Sequence, residues 1–224
     1  MKIRWNHINR GLVLGLVLAA GTAVYVIVQN AMFKNSIPEI SARAEEIGKN
    51  IAEANVGDNR EGVQRKLTSC LQDDFTYTKN PMVSEDDYYG AENKSSMLFS
   101  VENMTLDMTG CDKVTSVEYK QISSSVSKWG IDGANVQVDY QVTYECYGTP
   151  MLLCLDGMIN TKWIIDRDSD NEMMKTVKVK GSVNMVMFHE DDTWKVSTIS
   201  YVDNPKISVE YPNGDKGGEA NEQE

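Results

Sequence analysis

Histidine is nearly missing from this chain: His7 and His189 are the only two in 224 residues. A zinc site built from Cys, His and Asp needs more ligands at closer spacing, and none is legible. The chain also lacks a Gly-rich phosphate loop, a GxSxG nucleophile elbow and an HExxH pair. Those absences remove the usual sequence marks of nucleotide, serine-hydrolase and metallopeptidase chemistry. No cofactor is implied, and the expectation is a protein that is not an enzyme.

Basic charge is the next scarcity. Setting aside Lys2, Arg4 and Arg10 leaves 19 Lys and Arg against 33 Asp and Glu, a net charge of −14 for the remainder. Nucleic-acid binding needs a basic surface to neutralise phosphates, so it is excluded as a partner class. Docking on anionic headgroups by charge is disfavoured for the same reason.

Acidic residues are in turn absent from the N-terminus, where the first is Glu39. Between Gly11 and Val28, "GLVLGLVLAAGTAVYVIV" carries no charge at all. As a helix it extends about 27 Å, close to the hydrocarbon thickness of a bilayer. Residues 1–10, with three cations, are expected in the cytoplasm, 11–28 in the membrane, and everything beyond outside. A cleaved signal peptide is the rival, since Gly21 and Ala23 make a small-x-small site, but the apolar run continues past it. Gly11, Gly15, Ala19 and Ala23 repeat every four residues and form a candidate helix-dimer face.

Cysteines number four: Cys70, Cys111, Cys146 and Cys154. Outside the membrane disulfides persist, and a turn at "YGTP" would bring Cys146 opposite Cys154, leaving Cys70 for Cys111. Four buried free thiols are the other reading.

The periodicity changes along the chain. Residues 29–35 read as a juxtamembrane linker. "SIPE" from Ser36 is a capping box with an early proline, which predicts a helix start. Ile40, Ala44, Ile47, Ile51 and Ala54 then make one apolar stripe. A second helix follows "DNRE", with Val63, Leu67, Cys70 and Leu71 on its inner face. "FTYT" reads as a short strand and "SEDDYY" as a third helix start at Ser84. From Lys113 the period becomes two. In "ANVQVDYQVTYEC" the residues Val136, Val138, Tyr140, Val142, Tyr144 and Cys146 share one face. "VTSVEYKQIS", "MINTKWII", "KTVKVKGSVNMVMF" and "TWKVSTISYV" complete about five strands. The fold class is α+β, with two or three helices on a curved antiparallel sheet over residues 36–204. Residues 205–224 are polar and acidic and are expected to be disordered.

The element order, and the last hairpin "VMFHEDDTWKVSTISY" with Trp194, resemble the nuclear transport factor 2-like superfamily. That resemblance implies a sheet curled into a cone around the helices. Behind a single signal anchor, the layout is also similar to bitopic assembly components of type IV secretion and conjugation machines. This second resemblance implies a membrane-anchored scaffold of a bacterial envelope complex, with other envelope proteins or a second copy of the chain as partners. The alternative is an extracytoplasmic small-ligand-binding protein or enzyme that uses the cone interior.

"DRDSDNE" is the one stretch that looks like a metal cage. Asp166, Asp168 and Asp170 supply calcium ligands at alternate positions, but Val177 stands where a bidentate glutamate must be. Strand-like flanks make it the tip of a hairpin instead. His189 with Asp139 is a conceivable acid–base pair, yet His189 adjoins the turn "EDD", where exposure is expected. Tyr140, Tyr144, Trp163, Met185 and Met187 are a candidate apolar pocket lining, with plain core as the competing and favoured reading.

Overall fold

The computed structural model describes residues 10–56, 60–78, 91–95, 97–98, 112–155, 157–165 and 173–212. The chain divides into two units, Met1–Pro38 and Glu39–Glu224. Helix α1, Arg10–Glu53, begins in the first and ends in the second. In the first unit Leu12, Leu14, Leu16, Val17, Leu18 and Ile27 are exposed, which suits a helix surrounded by lipid. It is long and apolar enough to cross a membrane. Gly11, Gly15, Ala19 and Ala23 recur one turn apart along it.

The expected linker at 29–35 is helical. Nothing in "QNAMFKN" breaks a helix, and Pro38 lies inside α1 at the expense of one backbone hydrogen bond. Ser36 does not cap a helix start; its hydroxyl donates to the Met32 carbonyl one turn back.

In the second unit the predicted stripe is buried: Ile40, Ala44, Ile47, Ile51 and Ala54 are wholly inaccessible. Helix α2, Arg60–Cys70, buries Val63, Leu67 and Cys70 and leads directly into β1, Leu71–Thr78. The remaining strands are β2 (Ala91–Asn93), β3 (Lys113–Trp129), β4 (Gly133–Tyr147), β5 (Met151–Cys154), β6 (Gly157–Asn160), β7 (Lys175–Glu190), β8 (Thr193–Tyr201) and β9 (Lys206–Glu210).

The curved main sheet runs β2-β1-β8-β7-β4-β3, with β9 also paired to β7. It is mixed and not purely antiparallel, because β1 runs parallel to β8. Those two strands come from opposite ends of the domain sequence, so no hairpin dictates their direction. The β7–β8 turn is tight, with Asp191 and Asp192 both at positive φ, as a two-residue primed turn requires.

Three expectations from the sequence are corrected. Residues beyond Asn204 include β9, where Ile207 and Val209 alternate inward against β7. Two buried side chains sufficed to place a strand that overall polarity concealed. "MINTKWII" is not a strand of the main sheet. Its first half is β6, which pairs with β5 in a separate hairpin, and Thr161–Trp163 form a 3-10 turn. Among the described residues β7 pairs with β4, β8 and β9. Asp166, Asp168 and Asp170 themselves lie outside the described residues, as do the Ser84 helix start and Cys111. Lastly, Cys146 and Cys154 form no disulfide: both are buried free thiols, as is Cys70. The strands flanking "YGTP" do not face each other, because β4 pairs with β3 and β7 while β5 turns away to β6.

The β5–β6 hairpin is fastened by an amide that imitates a neighbouring strand. Asn55 Nδ2 donates to the Leu153 carbonyl at 2.8 Å, and the Leu153 N–H donates to Asn55 Oδ1 at 2.7 Å. The Tyr144 hydroxyl donates to the same carbonyl and the Tyr77 hydroxyl to that of Cys154.

Candidate functional site

β4 puts Ala134, Val136, Val138, Tyr140, Val142, Tyr144 and Cys146 on the inner face of the sheet. β7 meets them with Val177, Val179, Val183, Met185 and Met187, all inaccessible to solvent. Of the sequence-derived pocket residues, Tyr140, Tyr144, Met185 and Met187 thus share one fully buried face. Trp163 belongs to the 3-10 turn, and its side chain lies outside the described residues.

Polar groups gather at the margin of this face, between α1 and β3. On α1, Ser41, Glu45 and Gly48 follow one another at steps of four and three and so share a face. On β3, Tyr119 and Gln121 point the same way, and a register shift between Gln121 and Ser123 brings Ser124 into line with them. The Ser41 and Ser124 hydroxyls are hydrogen-bonded at 2.6 Å. Gln121 Nε2 donates to Ser41 Oγ at 3.3 Å. The Tyr119 ring lies against the α1 backbone at Gly48, where any Cβ would collide with its ring and hydroxyl. Its other face is stacked near Tyr140, with ring centroids 6.1 Å apart and an interplanar angle of 18°.

Two atoms of this margin are buried with no partner among the described residues, Tyr119 Oη and Gln121 Oε1. Burial holds the Tyr119 phenol well above its ordinary range, and the negative charge of Glu45 adds to the effect. Tyr119 is accordingly a permanent hydrogen-bond donor at any physiological pH. Asn50 Nδ2 and Trp194 Nε1 are buried and unpartnered as well. A buried polar group without a partner costs about 1–3 kcal/mol, so each such atom asks what it is for.

Other candidates fall apart or stand elsewhere. Asp139 accepts hydrogen bonds from Ser123 on the outer face of the sheet, which holds its carboxyl below the ordinary range. His189 is exposed at the β7–β8 turn, edge-on to Trp194 at 5.4 Å, so the two make no acid–base pair. Arg43 reaches the Trp194 carbonyl and the Thr193 hydroxyl beside it. Lys175 is fully buried opposite Cys146 and donates to the Gly148 carbonyl at 3.2 Å. Burial lowers its pKa and pushes the Cys146 thiol up to about 11. No group of three or more His, Cys, Asp or Glu arranged to hold a metal occurs among the described residues.

Sequence reasoning overlooked Tyr119, Gln121, Ser41 and Ser124. One signal was available: a glycine, Gly48, sits in "EEIGKN" beside an otherwise apolar helix stripe, where only a close neighbour justifies it.

No family model matches the chain, and no curated protein sequence matches it. Solved structures are similar in fold. A candidate scytalone dehydratase from Novosphingobium aromaticivorans DSM 12444 is 10% identical with a TM-score of 0.49, over 88% of this chain and 99% of its own. A nuclear transport factor 2-like superfamily protein from Salmonella enterica serovar Typhimurium LT2 is 12% identical with a TM-score of 0.45, over 76% and 92%. A hexachlorocyclohexane dehydrochlorinase, LinA type 2, is 10% identical with a TM-score of 0.44, over 75% and 89%. The resemblance to secretion and conjugation components finds no support among these structures. The expectation of a chain that is not an enzyme is withdrawn, because the similar structures include a dehydratase candidate and a dehydrochlorinase. What the chain has in common with them is an α+β architecture with a curved sheet, consistent with the nuclear transport factor 2-like fold.

Proposed function

We propose that this is a membrane-anchored domain that binds a small molecule at the polar margin between α1 and β3, with the domain on the outer side of the membrane. One observation carries the reading. Tyr119 Oη and Gln121 Oε1, a donor and an acceptor on one face of β3, are buried without a partner beside the Ser41–Ser124 pair. A fold retains such atoms at a cost when something else completes their hydrogen bonds. The ligand that fits has an oxygen able to accept from the phenol and a donor for the Gln121 carbonyl.

A second reading adds turnover, and the place of Glu45 on the helix face that carries Ser41 and Gly48 favours it. Glu45 would take a proton from carbon next to a carbonyl group, while Tyr119 donates a hydrogen bond to the oxygen on which charge develops.

The test is thermal melting of the full chain in detergent against a library of small carboxylic acids, ketones and phenols. At least one compound is expected to raise the wild-type Tm, and the rise is expected to shrink severalfold in Tyr119→Phe and in Gln121→Leu. Tyr119→Phe removes no bond made by the hydroxyl within the protein, and Gln121→Leu removes only the 3.3 Å bond from Nε2 to Ser41, so both chains should fold. No compound raising Tm, or equal rises in both variants, would overturn the reading.

A further inference from the structure

Of the five large apolar side chains left exposed among the described residues of the second unit, two share one turn. Trp129 and Ile131, at 54% and 64% exposure, lead the turn between β3 and β4, "KWGID". Gly130 supplies the positive φ that the turn needs. The turn is not an isolated finger, because the His189 N–H donates to the Asp132 carbonyl and seats the β7–β8 turn alongside it.

The position of this tip follows from contacts within the unit. Gly48 of α1 lies against Tyr119 of β3, and Ser41 bonds to Ser124. Residue numbers fall along α1 as they rise along β3, so the two run antiparallel. β3 continues past Ser124 to Trp129, a further stretch of about 16 Å at strand rise. The tip therefore lies beyond Ser41, at the end of the unit where the chain enters at Glu39. Residues 29–38 are all that separate that end from the apolar run closing at Val28.

Trp has an apolar ring and one polar N–H, and it concentrates at the boundary between hydrocarbon and water. We propose that the β3–β4 tip, through Trp129 and Ile131, dips into the interface of the bilayer that holds the anchor. The inference rests on the membrane-anchor reading and is independent of the ligand margin. The contact is apolar and not electrostatic: Lys128 is the only cation in the turn beside Asp132, and the adjoining β7–β8 turn carries Glu190, Asp191 and Asp192 against Lys195, which pairs with the first two. An acidic rim excludes attraction to anionic headgroups, so the docking is expected on neutral lipid and unaffected by salt. Its consequence is a domain steered by two points, the helix and the tip, instead of swinging on one.

The full chain reconstituted in phosphatidylcholine vesicles, with and without brominated acyl chains, tests this. Trp5 beside the span and Trp129 are the tryptophans expected within reach of bromine. Replacing Trp129 by Phe should cut the quenched emission about twofold, with no change in Tm. Ile131→Ser should weaken quenching of Trp129, and added salt should not. Equal quenching in wild type and Trp129→Phe overturns the proposal, as does quenching that salt abolishes. Loss of all quenching, Trp5 included, would instead overturn the anchor reading on which it stands. If Trp129 is shielded only at high protein concentration and never quenched by bromine, a second copy covers the tip and the proposal fails.

Discussion

β3 and β4 are paired from Lys113↔Tyr147 to Trp129↔Gly133, yet they are unlike strands. In β4 every second residue from Ala134 to Cys146 is buried to 1% exposure or less. In β3 no residue reaches that level: Val114 is buried at 7% exposure, and the rest are half-buried or exposed. β4 has a neighbour on each side and a wholly buried inner face, so packing fixes each inward side chain. Among the described residues β3 has β4 alone, and its inward positions Tyr119, Gln121 and Ser124 lean on one side of α1. One hairpin therefore carries both a frame that tolerates little and a margin free to hold polar groups.

The same substitution on the two strands gives the sharpest contrast. Val142→Asp on β4 puts a carboxylate into a site 1% exposed, with no partner, and is expected to cost about 4 kcal/mol or more and abolish folding. Ile122→Asp on β3, where the side chain is 55% exposed, should stay within about 0.5 kcal/mol. Urea melts of both chains decide it. Comparable losses would mean that β3 is as constrained as β4 and would remove the distinction.

That contrast also explains what the sequence revealed. β4, β7 and β8 were legible because burial on one face imposes strict alternation, and the α1 stripe because helical burial imposes steps of three and four. β9 was hidden because two inward residues, Ile207 and Val209, make too short a pattern against a polar background. The run of α1 through Pro38 was hidden because a capping box and a proline mark a helix start locally, while preceding residues decide whether one exists. The disulfide expectation failed on pairing: nearness of Cys146 and Cys154 in sequence says nothing when β5 leaves for another sheet. The polar margin was illegible because Tyr119 and Gln121 read as ordinary strand residues until Gly48 is placed beside them.

The buried face of β4 should also be visible in pH dependence. The Cys146 thiol is pushed from 9.0 to about 11 by burial. Between those values the folded chain keeps a proton that the unfolded chain has lost, so stability falls as pH rises. At about 1.36 kcal/mol per unit the fall amounts to roughly 2–3 kcal/mol. Lys175 opposes it, since a lowered pKa means the unfolded chain binds more protons and stability rises with pH. Cys146→Val keeps Lys175 and removes the thiol. The gap between wild type and variant, followed by urea melts below pH 9 and near pH 11, should move by that amount in favour of the variant. A constant gap would mean that the thiol is not desolvated.

A smaller loss is expected where the frame is fastened at one point. Asn55→Ala removes both bonds to Leu153 and leaves its N–H and carbonyl short of a partner. The expected cost is about 2 kcal/mol. Amide exchange should quicken first at Leu153 and its β6 neighbours, with β4 and β7 unaffected.

The smallest effect tests the margin and has a sign that reverses. Gly48→Ala gains helix propensity of about 1 kcal/mol but drives a methyl group into Tyr119. Overpacking of that kind costs about 1–3 kcal/mol, so the net result should be a loss of about 0–2 kcal/mol. With Tyr119→Ala already in place the obstacle is gone, and Gly48→Ala should then stabilise the chain by about 1 kcal/mol. The four chains of this double-mutant cycle separate contact from propensity, because propensity is the same in both backgrounds. A stabilising Gly48→Ala in the wild-type background would mean that Tyr119 yields at little cost. β3 would then lean on α1 only through Ser41, Ser124 and Gln121, and the ring would be free to turn its hydroxyl elsewhere.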